Sequence, residues 1–195
     1  MRIIETEVFE FDELSDEAKE MAIAGFREDE YFWGEEDRET LEEFEKIFPV
    51  KVGRWEYGYC HSYINFEMDT WVDNDVLSFT GVRLLKYLVN HYWHNLFKGK
   101  FICGDKYPKF RHSKVIFDNS CVLTGCCLDM DILNPIYEFL KKPDEHTTLE
   151  ELMRDCLQSW LSACDNEVEY QNSDEAIIER IEANSYEFTK DGKLI

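Results

Sequence analysis

A chain of 195 residues, 44% hydrophobic and 15% aromatic, is long enough to bury a sizeable core, and we expect residues 1–195 to form a single domain. Its net charge of -21 argues against sequence-independent binding to nucleic acid, which requires clustered Lys and Arg. No apolar run approaches the roughly 20 residues of a membrane span and no signal peptide is visible, so we expect a cytoplasmic protein with reduced cysteines and no membrane contact.

The chain begins with a predicted strand followed by two helices. The opening residues "RIIETEVFEF" are rich in β-branched and aromatic side chains, which favour a strand. Ser15 is a suitable N-cap for the helix that follows, and a second amphipathic helix comes after it. The apolar stripes predicted to face the core are Ala18, Met21, Ala22 and Phe26 in the first helix and Leu41, Phe44, Ile47 and Phe48 in the second.

An aromatic stretch and a long apolar helix come next. The residues "VKVGRWEYGYCHSYINFEMD" show an alternation that is typical of a hairpin or of two adjacent strands. Thr80 is the predicted N-cap of the helix. One strand face is predicted to carry Cys60, Ser62, Ile64, Phe66 and Met68, and the buried side of the helix is predicted to carry Leu85, Leu88, Val89, Tyr92 and Leu96.

Two further helices are predicted around the prolines of the second half. One begins near Asn134 and Pro135, because proline suits a first helical turn, and it ends near Pro143. Thr148 and Glu151 then fit a capping box that opens the longest helix. Its predicted inward stripe is Leu149, Leu152, Met153, Cys156, Leu157, Trp160, Leu161 and Cys164.

A short helix and a tight turn are predicted to close the chain. The helix follows Ser173, and Asp191 with Gly192 between apolar segments indicates a hairpin turn. The apolar positions of this helix are Ile177, Ile178 and Ile181. The whole pattern predicts an α+β fold, mostly helical, with a small antiparallel sheet and a C-terminal hairpin.

Three stretches of the chain resemble a known family. They are "FEFDELSDEAKEMAIAGFRE", "CVLTGCCLDMDILNPIYEFLKKPD" and "YQNSDEAIIERIEANSYEFTKDGKLI". Together they resemble small proteins of phages and prophages, often labelled by similarity to the N-terminal part of an antitoxin of a toxin-antitoxin stability system. The resemblance implies an origin in mobile genetic elements and a location in the bacterial host cytoplasm, and it brings no catalytic residues.

The stretch "CVLTGCC", residues 121–127, raises the question of a metal site. Zinc takes Cys and His ligands, usually in close pairs such as C-x2-C, whereas the gaps here are nine, nine and six residues. The weak candidate set is Cys103, His112, Cys121 and Cys127, with Cys126 as the alternative to the last. The competing interpretation is a turn over Leu123, Thr124 and Gly125 with thiols that are buried as small hydrophobic groups. We favour the turn and predict no cofactor.

Catalytic chemistry has little support in the sequence. Cys60 and His61 alternate across a predicted strand, so they do not form a nucleophile pair. His91 and His94 lie one turn apart on a helix and indicate an ordinary helix face. Carboxylates that could hold Mg²⁺ are expected by composition alone among 42 acidic residues. These carboxylates are Asp69, Asp73 and Asp75, or Asp129 and Asp131. We predict that the chain is not an enzyme, and a metal-dependent nuclease remains an alternative.

Charge is distributed unevenly along the chain. Residues 28–45 contain ten acidic side chains against Arg38 alone, and residues 149–187 contain eleven against Arg154 and Arg180. Residues 98–114 have a local charge of +5, which leaves -26 for the remainder. The basic side chains of this segment are Lys98, Lys100, Lys106, Lys109, Arg111 and Lys114. A field of this kind steers a protein onto a basic partner.

The charge and the resemblance together predict a phage or prophage accessory protein that binds and inhibits a host protein. The expected partner is basic, such as a nucleic-acid-binding defence protein whose groove is occupied by a DNA mimic of the anti-CRISPR or anti-restriction kind. The alternative is an antitoxin that neutralises a toxin by direct contact. The predicted partner-binding residues are Asp29, Glu30, Tyr31, Phe32, Trp33, Glu35, Glu36, Asp37, Glu39, Glu42 and Glu43.

Overall fold

The computed structural model describes residues 7–27, 34–58, 61–69, 71, 73–101, 115–118 and 121–195. It divides into two compact units, which we name the central unit, Trp33–Asp165, and the terminal unit, Met1–Phe32 with Asn166–Ile195. The division into two units does not test whether they fold cooperatively, so the single domain of residues 1–195 stays a prediction.

The described residues form seven α-helices and six short strands, which confirms the predicted α+β class. The helices are α1 (Asp16–Arg27), α2 (Gly34–Ile47), α3 (Asn74–Leu77), α4 (Gly81–Leu96), α5 (Leu128–Lys141), α6 (Leu149–Gln171) and α7 (Asp174–Asn184). The strands are β1 (Phe9–Glu10), β2 (Val50–Glu56), β3 (Tyr63–Met68), β4 (Lys98–Phe101), β5 (Val115–Asp118) and β6 (Glu187–Phe188). They form three antiparallel pairs, β1 with β6, β2 with β3 and β4 with β5.

The β2–β3 pair provides one side of the central core. Its register places Val50 opposite Met68, Val52 opposite Phe66 and, after an irregularity, Trp55 opposite Ile64. The predicted alternation is confirmed for Ile64, Phe66 and Met68, which pack against the core. Cys60 lies outside the described residues.

Helix α4 is buried on a narrower stripe than the sequence predicts. Leu88, Tyr92 and Leu96 are buried as expected, Leu85 is half-buried and packs against the core, and Leu84 adds a fully buried position that was not predicted. Val89 is 37% exposed, and the prediction that it faces the core is wrong. Four buried residues spaced four apart keep to one side of the helix, and Val89 lies one position beyond that side.

Helix α5 begins at Leu128, well before the predicted start at Asn134, so Pro135 lies inside the helix. Proline has no N–H and cannot donate to the carbonyl four residues earlier. That carbonyl belongs to Asp131, and it accepts a hydrogen bond of 2.7 Å from Ser159 Oγ on α6. A neighbouring helix thus replaces the lost bond, and the proline is tolerated.

Helix α6 agrees with its sequence pattern. The capping box is present, because Glu151 accepts from the Thr148 N–H at 2.8 Å and Thr148 Oγ1 accepts from the Glu151 N–H at 3.3 Å. The predicted stripe is buried throughout. Trp160 is 0% exposed and meets the rings of Trp55 and Tyr57 edge-on.

The terminal unit has a small core built by α1, α7 and the β1–β6 pair. Ser15 Oγ accepts from the Ala18 N–H, which confirms the predicted N-cap, and Ser173 Oγ accepts from the Ala176 N–H at the start of the predicted last helix. Met21 is 58% exposed, which makes its predicted place in the core wrong. The buried residues are Phe11, Leu14, Ala18, Ala22, Phe26, Ile177, Ile181 and Phe188.

The predicted C-terminal turn is present. Gly192 has a φ of 79°, in the left-handed region that favours glycine, and its N–H donates to Thr189 O at 2.9 Å. A bridge between Phe188 and Leu194 closes the hairpin.

Candidate partner-binding surface

Helix α2 carries all of the predicted binding residues that the structure describes. Its inward face is fixed by Thr40, Leu41 and Phe44, all buried, so the positions between them face solvent. The exposed carboxylates on that outer face are Glu35, Glu36, Glu39 and Glu42, and Glu43 is half-buried.

Two of these carboxylates have partners on the same helix. Arg38 Nε lies 2.7 Å from Glu42 Oε1, and Lys46 Nζ lies 2.5 Å from Glu43 Oε1. The hydrogen bond to Glu43 and the charge of Glu43 raise the pKa of Lys46. These pairs, one turn apart, are an ordinary stabilising feature of an exposed helix.

Glu35, Glu36 and Glu39 form no ion pair within the described residues. Glu35 and Glu36 lie in the first turn, where the positive end of the helix dipole stabilises negative charge. That effect falls off beyond the first turn, so it does not account for Glu39. These three carboxylates can meet a basic partner without breaking an ion pair of α2.

Asp37 differs from its neighbours because its side chain faces inward. It is 9% exposed, and its carboxylate accepts a hydrogen bond from the hydroxyl of Tyr57, which follows β2. Burial and then this hydrogen bond raise the pKa of Tyr57. Glu45 Oε1 likewise accepts from the Val52 N–H at 2.5 Å. The two contacts tie α2 to the strand pair, so the outer face is held on a fixed base.

Part of the predicted surface lies outside the described residues. This holds for the aromatic anchors and the acidic residues that precede α2. They are Asp29, Glu30, Tyr31, Phe32 and Trp33, and their role stays a prediction.

A second attachment of the strand pair is not visible in the sequence. Asp165 Oδ1 accepts from Ser62 Oγ at 2.6 Å and from the Gly58 N–H at 3.0 Å. Ser62 and Asp165 are 103 residues apart, and no local pattern links them. On the same helix, burial and then the charge of Asp37 raise the pKa of Cys164, so this cysteine stays a thiol and is a poor nucleophile.

The acidic range 149–187 divides between the two units. Several of its carboxylates contact other side chains of the same unit. In the central unit, Glu150 Oε1 lies 2.7 Å from the Arg154 guanidinium. In the terminal unit, Asp174 pairs with Arg27. The charge of Glu179 is the main cause of a raised pKa at the exposed Tyr170.

The "CVLTGCC" stretch is organised by one buried carboxylate. Asp129 is 0% exposed and accepts from the N–H groups of Leu123, Thr124 and Gly125 at 2.8 to 3.0 Å and from Thr124 Oγ1 at 2.8 Å. The predicted turn is therefore present, but the prediction that its flanking thiols are buried is wrong, because Cys121 and Cys126 are half-buried and Cys127 is exposed. The turn depends on Asp129, whose position at the start of α5 places its carboxylate next to these N–H groups. These hydrogen bonds already occupy both of its carboxylate oxygens.

The candidate metal ligands are not brought together in the described part of the chain. Cys121 is half-buried and Cys127 is exposed, while Cys103 and His112 lie outside the described residues. Among the residues that the structure describes, no group of three or more Cys, His, Asp or Glu side chains could hold a metal ion.

The other residues considered for catalysis or metal binding also form no common site in the described part of the chain. Asp69 lies 3.8 Å from Lys51 Nζ, and Asp73 precedes α3. Burial raises the pKa of Asp131. His91 and His94 are exposed on α4, and His91 Nδ1 lies 2.8 Å from Tyr87 O.

Of the basic segment, residues 98–114, the structure describes only residues 98–101, and β5 follows the segment. Strands β4 and β5 pair with Lys98 opposite Asp118 and Phe101 opposite Val115. Most of its cations lie outside the described residues, namely Lys106, Lys109, Arg111 and Lys114.

Comparison with known proteins identifies no relative of this chain. No family model, no curated protein and no solved structure matches it. In the described ranges, none of the helices has the length and apolar character that a membrane span requires.

Proposed function

We propose that this chain is a phage or prophage accessory protein that binds a basic host protein through the outer face of α2 and inhibits it as a DNA mimic. The observation that carries the proposal is the contrast between the two faces of this helix. Its inner face is fixed by apolar packing and by the contact of Asp37 with Tyr57, while exposed carboxylates occupy its outer face.

The charge density of this face is of the right order for mimicry. Excluding Asp37 and Glu45, which contact the strand pair, α2 carries five acidic and two basic side chains, a net charge of -3. Fourteen residues at about 1.5 Å each span roughly 21 Å, or about one net charge per 7 Å. A single DNA strand carries about one charge per 3.4 Å. A groove that binds phosphates would meet a line of negative charge that agrees with a DNA strand to about a factor of two.

The first test identifies the partner. Affinity capture from a bacterial lysate at low and moderate salt, followed by mass spectrometry, should enrich a basic host protein. Capture of a nucleic-acid-binding defence protein supports mimicry, whereas a toxin enzyme would support the antitoxin alternative and overturn mimicry. Metal-dependent cleavage of nucleic acid by the purified chain would support the nuclease alternative.

The second test asks which surface binds. The triple substitution Glu35→Lys, Glu36→Lys, Glu39→Lys should lower the association rate for the captured partner about tenfold or more at low salt, because steering of this size depends on exposed charge. A matched triple on the terminal unit, with the same change in charge, is Glu169→Lys, Glu182→Lys and Glu187→Lys. An association rate that is indifferent to salt and to the α2 triple would overturn the proposal.

A further inference from the structure

The terminal unit contains an apolar cleft beside α1. Its volume is about 320 Å³, and its floor includes Phe26 and Phe188, both buried. Met21 and Leu194 stand at its sides and are 58% and 48% exposed. Ligand pockets are lined in this way by apolar side chains with few polar groups.

The helix leaves room for an occupant at Gly25. This residue lies one turn after Met21 and lines the cleft. A Cβ placed on Gly25 would meet no heavy atom within 4 Å, so close packing within the chain does not require glycine here. Glycine weakens a helix interior, and at this position its absent side chain keeps the cleft open.

Exposed apolar side chains are concentrated in the same unit. Eight large hydrophobic residues of the described chain are exposed, and five of them belong to this smaller unit. These five are Val8, Met21, Tyr170, Leu194 and Ile195. Two of them, Met21 and Leu194, line the cleft, and exposed apolar side chains beside an apolar cleft indicate a contact with another molecule.

The charge around the cleft selects the kind of occupant. The described residues of the terminal unit include fifteen acidic and five basic side chains, a net charge of -10. Glu17 lies one turn before Met21, and Glu20 is adjacent to it on the exposed side of α1. Lys193, on the C-terminal segment rather than on α1, also lines the cleft. A cationic occupant would therefore place its charges over α1, away from Lys193.

We infer that this cleft binds a large apolar side chain carried by a basic segment of a partner protein. The inference rests on the proposed function in one respect, namely that the partner is basic. An acidic groove that receives the apolar face of a basic amphipathic helix is a recurrent mode of recognition. A second copy of this chain would bring two units of net charge -10 together, so the field favours the basic segment.

The test uses the full chain and two synthetic peptides of equal positive charge. One is an amphipathic helix of Leu and Lys, and in the other every Leu is replaced by Ser. Binding is measured by fluorescence anisotropy at 150 mM salt. Gly25→Leu, which fills the cleft, should weaken binding of the Leu/Lys peptide at least tenfold. The matched control is Ala183→Leu, which adds the same side chain at an exposed position of α7, and it should leave the affinity unchanged.

The outcomes separate this inference from the proposed function. The Ser/Lys peptide should bind weakly, and Gly25→Leu should not change its affinity. That result supports an apolar anchor, because it shows that binding by charge alone does not involve the cleft. Equal affinity of wild type and Gly25→Leu for the Leu/Lys peptide would overturn the inference. A wild-type dimer that Gly25→Leu dissociates in analytical ultracentrifugation would overturn it in favour of a second copy. Neither result depends on the triple substitution of α2, which tests the proposed function. A circular dichroism melt of each variant confirms that it is folded.

Discussion

The central and terminal units treat their polar and apolar groups differently. In the central unit, several interior polar groups have hydrogen-bond partners, although Thr40 Oγ1 and Trp160 Nε1 are buried without one among the described residues. Asp129 accepts four hydrogen bonds, Tyr137 Oη donates to Leu96 O at 2.8 Å, and Ser159 Oγ donates to Asp131 O. The terminal unit instead closes a core of eight buried residues and leaves Met21 and Leu194 in contact with solvent.

This difference indicates which contacts stabilise each unit and which surface is available to other molecules. A buried polar group without a partner costs about 1 to 3 kcal/mol, so a core with such contacts tolerates little change. Exposed apolar side chains stabilise the folded chain little, because they gain free energy only when another surface covers them. The central unit thus provides a fixed base for α2, and the terminal unit provides apolar surface.

The largest expected effect tests the central core. Trp160→Ala should lower the free energy of unfolding by about 3 to 5 kcal/mol, because a fully buried ring that packs against Trp55 is removed. The measurement is a denaturant titration in which unfolding is monitored by circular dichroism. Trp71→Ala is the matched control, since Trp71 is 61% exposed and its loss should change stability by less than about 0.5 kcal/mol. Equal midpoints for the two variants would contradict the core assignment.

The next effect tests the terminal unit. A Cβ at Gly192 would lie 2.1 Å from Ala18 O, and its φ of 79° is unfavourable for other residues. Gly192→Ala should therefore cost about 2 to 4 kcal/mol, from backbone strain and steric overlap together. Gly25→Ala, at an open helical position, should instead be neutral or stabilising by up to about 1 kcal/mol. Thermal unfolding of both variants checks this contrast, and similar losses in both would contradict it.

The two substitutions also test whether the units unfold together. If residues 1–195 are one cooperative domain, as the sequence predicts, Trp160→Ala and Gly192→Ala should shift the same single transition. Two transitions, each shifted by only one substitution, would show that the units are separate domains. Differential scanning calorimetry distinguishes these results.

A smaller effect is expected where α6 supports the proline of α5. Ser159→Ala removes the donor to Asp131 O and should cost about 0.5 to 1.5 kcal/mol, the usual net contribution of a hydrogen bond, because this contact is only partly buried. In a Pro135→Ala background the new N–H can satisfy the same carbonyl, so the cost of Ser159→Ala should fall. A double-mutant cycle from denaturant titrations measures this coupling. Strictly additive costs would contradict the proposed exchange of donors.

Local patterns in the sequence were sufficient for much of the fold. The stripe of α6 and the caps at Ser15, Thr148 and Ser173 depend on residues within one or two helical turns of each other. Spacing alone therefore identifies them. The prediction at Pro135 failed for the opposite reason, because the group that permits proline inside α5 is a serine on another helix.

The candidate surface shows the same limit. Glu35, Glu36 and Glu39 are exposed as the charge pattern predicts. The inward position of Asp37 depends on Tyr57, twenty residues away, and no helical spacing signals that contact. The cleft was missed because it is formed by α1 and the C-terminal turn, which are distant in the chain. Its one local signal was Gly25 inside an otherwise good helical pattern.

The smallest expected effect is a pH response in the segment that enters α6. Hydrogen bonds from the N–H and side chain of Thr147, followed by the N–H of His146, lower the pKa of Asp144 from 3.8 to about 2. A lowered pKa means that the ionised carboxylate is favoured in the folded chain. Its stabilising effect is therefore fully present above about pH 4 and is lost as the pH falls through about 2. Asp144 is exposed, so we expect a local change rather than unfolding.

The measurement for this last prediction is an NMR titration of the amide proton shifts of His146 and Thr147 between pH 5 and pH 1.5. Both shifts should change with a midpoint near pH 2, because protonation weakens the acceptor that holds these two N–H groups. Asp144→Asn supplies the control, since an amide oxygen can accept the same hydrogen bonds but does not titrate. A midpoint near 3.8 would mean that the carboxylate has no preference for the folded segment, and the hydrogen bonds of this turn would then be too weak to order the approach to α6.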